Sequence, residues 1–178
     1  MSPTHPSRRL SPIVLIRAVL RVLIYVNITL GILIAALLVA SLVSDGAVMG
    51  ALGVRPGPGR AGLVLGMRAI AVVGVLSTPL MHLIFIRLRA FVDSIAAGTP
   101  FDAGNAARLK AVAWAVVGLE GLHVAVGIIA TRASSPAQPL NLSWNLPVTR
   151  LLVVLLLFVL AGVFDEGARM HDELSATV

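Results

Sequence analysis

The chain has 178 residues, 58% of them hydrophobic and 12% charged, with 14 basic against 8 acidic residues and a formal charge of +6. Soluble domains average about 45–50% apolar and about 25% charged residues. This composition therefore specifies a polytopic membrane protein and leaves no room for a separate soluble domain, which takes roughly 50 residues or more. Cysteine is absent, which excludes disulfides, Fe–S clusters and thiol nucleophiles.

A hydrocarbon core about 30 Å thick takes roughly 20 apolar residues per helix. The first such run is Val22 to Val43. It is longer than the roughly 7–15 apolar residues of a signal-peptide core, and Arg17 and Arg21 stand directly against it, so it reads as an uncleaved span. The second is Leu63 to Ile86, interrupted by Pro79, which predicts a kink whose freed backbone groups are met by Ser77, Thr78 or a neighbouring helix. The third is Ala111 to Ala130. The fourth, Leu151 to Phe164, is short and is taken to begin near Val148. The expected architecture is all-α: one membrane domain over residues 1–178, a four-helix bundle with spans at 22–43, 63–86, 111–130 and 148–164. Gly62–Gly66, Gly31–Ala35 and Gly121–Ala125 place small residues four apart, the spacing that lets helices approach closely.

Cations set the orientation. Arg8, Arg9, Arg17, Arg21, Arg87, Arg89, Arg108, Lys110 and Arg169 fall on one side; Arg55, Arg60, Arg68, Arg132 and Arg150 fall on the other. The excess predicts that both termini and the central hairpin are cytoplasmic. The basic residues flank apolar runs and form no polar face of their own, so they speak for anionic lipid and not for direct nucleic-acid binding.

Between spans two and three, residues 87–110 read as a helical hairpin. Leu88, Phe91, Val92 and Ile95 continue one apolar stripe past the membrane edge. Gly98 suits a left-handed helix end with Pro100 after it, and Asp102 suits the cap of the next helix. After span four, "DEGARMHDELSATV" (165–178) reads as a solvated helix leaving the membrane.

"GTPFDAGNAARLKAVAW" resembles the signature of the bacterial DUF 2975 family (domain of unknown function), through Gly98, Pro100, Phe101, Asn105, Arg108, Leu109 and Trp114. The tail adds Val163, Phe164, Gly167, Ala168, Arg169, Glu173, Thr177 and Val178. The resemblance covers most of the chain and implies a four-span protein of the bacterial cytoplasmic membrane. It transfers no catalytic residue, but it implies genomic company: a small helix-turn-helix regulator of the Cro/CI type. Gly98, Pro100, Phe101, Asn105 and Arg108 in the hairpin, and Phe164, Gly167, Arg169 and Glu173 in the tail, are the candidate docking residues. The same hairpin residues also make good turn chemistry on their own.

Inside the spans, Glu120 lies near mid-bilayer with His123 on the same face at i+3, and Arg68 and His82 are the other ionisable residues. Glu-x-x-His is a pair that di-metal bundles use, but no second copy and no other span carboxylate accompanies it. No metal or other cofactor is expected. The simpler expectation is that Glu120 is protonated or bonded to Arg68, His123 or Asn27. Phosphate-binding loops, His-Glu-x-x-His and Ser/His/Asp sets are missing, so no enzyme is expected. Two functions compete. One is a non-enzymatic regulatory protein acting through its hairpin and tail. The other is a small proton, cation or solute transporter, or a homo-oligomeric channel subunit, using Glu120 and His123.

Overall fold

A computed structural model describes residues 12–54, 56–99, 102–134 and 148–175. In lipid every backbone polar group must be satisfied within its own segment, so apolar runs of this length become helices. Among the described residues five form: α1 Pro12–Val43, α2 Asp45–Ala51, α3 Arg60–Ala96, α4 Ala103–Ala133 and α5 Val148–Ser175. Four of them, all but α2, are long and apolar enough to cross a membrane, and the chain is a multi-pass membrane protein. Leu30, Leu33, Leu65, Leu76, Leu152 and Leu156, exposed on the outer surfaces, are what a bilayer would cover.

The long helices pack in chain order, α1 on α3, α3 on α4 and α4 on α5. The expected bundle is therefore open, because α1 and α5 do not pack along their lengths. On α1 the contact stripe is narrow. Ile13, Arg17, Leu20, Ile24, Asn27, Gly31, Ile34, Leu38 and Ser41, spaced alternately four and three apart, are its covered positions together with Ala35, the pattern of a straight seam between two helices.

Small residues set how close the helices come. A Cβ on Gly66 would lie 2.2 Å from the Ala133 Cβ, and one on Gly31 would lie 2.5 Å from Thr78 Cγ2. Gly62 and Gly121 meet nothing, so of the Gly62–Gly66 pair a single glycine makes the contact.

Pro79 sits inside an unbroken α3. It leaves the Val75 carbonyl without its usual amide donor. The hydroxyls of Ser77 and Thr78 both donate to the carbonyl one residue earlier, Gly74 O, at 2.7 and 3.1 Å. Asn27 of α1 donates to Thr78 O at 3.1 Å. These bonds go to Gly74 O and Thr78 O, so among the described residues none of them is the repair of the freed Val75 carbonyl expected from the sequence.

Beyond the far ends of α1 and α3, α2 folds back as a short cap. Met49 and Val54 pack there on Leu63 and Val64. Ser44 stands at its N-cap position and Asp45 in its first turn. A second cluster, Ile84, Val112 and Ala115 with Leu157, joins α3, α4 and α5 in the half nearer the hairpin.

Candidate functional site

Two levels on α4 measure the membrane band. Lys110 donates to Asp165 of α5 at 2.8 Å. At the other end Gly66 abuts Ala133, which puts Arg68 level with about Thr131. From Lys110 to Thr131 is about 31 Å of helix at 1.5 Å per residue, close to the roughly 30 Å of a hydrocarbon core. Glu120 lies about 15 Å from either level, in the middle.

There Glu120 is partnered, but by none of the residues expected for it. Arg150 Nη1 donates to both carboxylate oxygens, at 3.1 and 3.3 Å. Arg150 is the third residue of α5; counted from the Lys110–Asp165 level its backbone stands about 7 Å beyond Glu120, and its long side chain reaches back over that distance. The Glu120 side chain is 22% exposed and the Arg150 side chain 43%. Pairing answers the cost of a carboxylate at that depth, since a lone charge in hydrocarbon must be neutralised or matched.

The four intramembrane candidates do not form one site. Arg68 is held at the far end, where it donates to Asp45 Oδ1 at 2.7 Å and to the Ser41 carbonyl. His82 lines the groove between α1 and α3 with Gly31, Thr78 and Pro79. His123 follows Glu120 on α4 but, among the described residues, takes no part in its ion pair. Arg150 and Asp45 are the residues that sequence reasoning missed. By position along the chain each belongs to a loop on the far side, although an Arg at the head of a short fourth span is a signal that one intramembrane carboxylate has a match.

At the hairpin, α3 ends as expected. Gly98 has φ +80°. Its amide donates to Ile95 O at 3.1 Å, and the Thr99 amide donates to Ser94 O at 3.1 Å, the two bonds of a Schellman end. Asp102 occupies the N-cap position of α4 with extended backbone, but its side chain caps no amide. One of its oxygens lies 3.9 Å from Arg108 instead.

Asn105 is the clamp. Its side chain is 0% exposed. Its Oδ1 accepts from Arg108 Nη1 at 2.5 Å and stands 2.9 Å from the Ser94 hydroxyl, and its Nδ2 donates to Thr99 O at 3.3 Å. One side chain thereby ties the end of α3, the turn and the first turns of α4 together. Asn105 therefore acts inside the hairpin and offers no outer surface. Pro100 and Phe101 lie outside the described residues.

The tail is built onto this hairpin. Phe164 of α5 meets Phe91 of α3 edge to face, with centroids 5.3 Å apart. Ala168 is buried, Gly167 is half-buried, and Arg169 pairs with Glu166 one turn back at 3.3 Å. Glu173 lies in the last turns of the same helix, which runs without a break from the membrane level to Ser175. Hairpin and tail form one packed unit, rimmed by exposed side chains of both signs, Arg87, Arg89 and Arg169 with Asp102, Asp165, Glu166 and Glu173.

No curated protein and no solved structure matches the chain. A family model described as "Protein of unknown function (DUF2975)" matches residues 54–178, from the end of the α2 cap through the hairpin and tail just described, and the chain belongs to that family.

Proposed function

We propose that this is a non-enzymatic regulatory or interaction protein of the bacterial cytoplasmic membrane. In this reading both termini and the hairpin face the cytoplasm, and the hairpin–tail unit engages a small DNA-binding regulator of the Cro/CI type. The observation that carries it is the joining of hairpin and tail through Phe91–Phe164 and Lys110–Asp165 into one charged surface. A mere connection between two spans needs only a few residues. Here α3 and α4 run on past the Lys110 level, and α5 follows them.

Because Asn105 is buried, substituting it tests the fold and not the docking. The surface is tested by Arg87→Glu with Arg169→Glu, two exposed positions. The wild-type protein in nanodiscs should shift the operator binding of its neighbouring regulator in a gel-shift assay, and the double variant, with unchanged thermal stability, should not. A regulator indifferent to the wild-type protein would sink the proposal.

The transporter reading draws on the mid-membrane position of Glu120. Its pairing with Arg150 weighs against a proton or cation relay, since the guanidinium already engages both carboxylate oxygens. Ion or proton flux in liposomes that disappears in Glu120→Gln would restore that reading.

A further inference from the structure

At the far end from the hairpin, α1, α2 and α3 enclose an open groove of about 750 Å³, lined by Leu42, Asp45, Arg60, Val64, Leu65 and Arg68 among others. Its charge is unbalanced: among the described residues, two guanidiniums face one carboxylate. Asp45 divides itself between them, with Oδ1 accepting from Arg68 at 2.7 Å and Oδ2 from Arg60 at 3.1 Å. Arg68 is further committed to the Ser41 carbonyl and, at 3.4 Å, to the Ser41 hydroxyl. Among the described residues, Arg60 makes no side-chain hydrogen bond beyond its single one to Asp45. A guanidinium carries five N–H donors in a planar fork, so most of the donors of Arg60 stay available.

Position supplies the second half of the argument. Arg68 stands at the edge of the hydrocarbon band, and Arg60 lies two turns further along α3, about 12 Å beyond it. The groove thus spans the headgroup layer. Leu65, 70% exposed, and Leu42 put apolar surface beside the cations at the band edge. A ligand that fits carries a phosphate for the two arginines and a hydrocarbon chain for the leucines.

We propose that this groove binds an anionic phospholipid, its phosphate between Arg60 and Arg68 and an acyl chain along Leu42 and Leu65. Asp45 acts as the resident anion that holds the arginines in place and competes with the incoming phosphate. The shared chemistry, a phosphate ester on paired guanidiniums, is also offered by soluble phosphates, so the test separates the two.

The full-length protein in detergent would be titrated with phosphatidylglycerol, phosphatidylcholine and free glycerol phosphate, and bound adducts counted by native mass spectrometry. The expected result is one phosphatidylglycerol bound in preference to phosphatidylcholine, with glycerol phosphate binding much more weakly. Arg60→Gln should weaken phosphatidylglycerol binding roughly tenfold, Arg60→Lys should retain part of it, and Asp45→Asn should tighten it. Arg60 is partly exposed, so its variants should fold, and a thermal melt confirms it. Equal binding by wild type and Arg60→Gln overturns the site. Glycerol phosphate binding as tightly as the lipid overturns the lipid as its occupant.

Discussion

Replacing Glu120 by Gln keeps the shape of the side chain and removes its charge, leaving Arg150 without its match at the middle of the band. An arginine at the centre of a membrane helix costs about 2.5–3.5 kcal/mol on insertion scales. Part of that is recovered here, because Arg150 stands in the first turn of α5 and its long side chain can bend toward the headgroups. The expected loss for Glu120→Gln is therefore about 2 kcal/mol. The reverse change, Arg150→Gln, strands a carboxylate, which costs less than a cation at the midplane, so its loss should be nearer ~1 kcal/mol. The double variant removes both charges and should lose less than the two single losses together. The coupling should lie near ~1.5 kcal/mol, toward the upper end of polar pairs measured in membrane proteins. Reversible unfolding of the four proteins in bicelles, followed by steric trapping, measures the cycle. Losses that add to within ~0.3 kcal/mol would refute the reasoning, because they would mean that the two side chains do not sense each other in the bilayer.

Other substitutions test the hairpin and the helix seams. Asn105→Ala removes a charge-assisted bond and neutral ones from a fully buried side chain, and should cost about 2–3 kcal/mol in the same unfolding assay. Phe164→Ala removes the edge contact with Phe91 and should cost about 2 kcal/mol; hydrogen exchange should then quicken across residues 165–175 while α1 stays protected. Gly66→Val should lose about 1–3 kcal/mol by driving α3 from α4, whereas Gly62→Val, which meets nothing within 4 Å, should change thermal stability little.

Features that depend on neighbours along the chain are legible in the sequence alone. The four apolar runs, the continuation of Leu88 and Phe91 past the band, and the left-handed Gly98 all follow from local rules of length, period and backbone freedom. What is not legible depends on which helix stands beside which. Gly62 and Gly66 share one spacing, yet only Gly66 meets α4, because a four-residue step says that a close approach is possible and not where it happens. Asp102 occupies the expected cap position, but its side chain lies toward Arg108, a competition between partners that only the folded turn decides.

Glu120 states the general case. A carboxylate ten residues from either end of its span announces a need for a partner, and the cost of leaving it unmet makes that inference firm. The identity of the partner is a matter of register. Arg150 lies thirty residues further along the chain, beyond a loop, and counting cations by side assigns it to the far surface. Its assignment changes because the first turn of α5 lies inside the band, about 7 Å from the level of Glu120, a distance the arginine side chain spans. The arginine at the head of the fourth span and the lone intramembrane carboxylate are thus one fact seen twice. A one-turn extension of α5 ahead of Arg150 should preserve the pair, whereas a one-turn insertion between Arg150 and Asp165 should break either that pair or Lys110–Asp165. The unfolding cycle on Glu120 and Arg150 would report which of the two gives way.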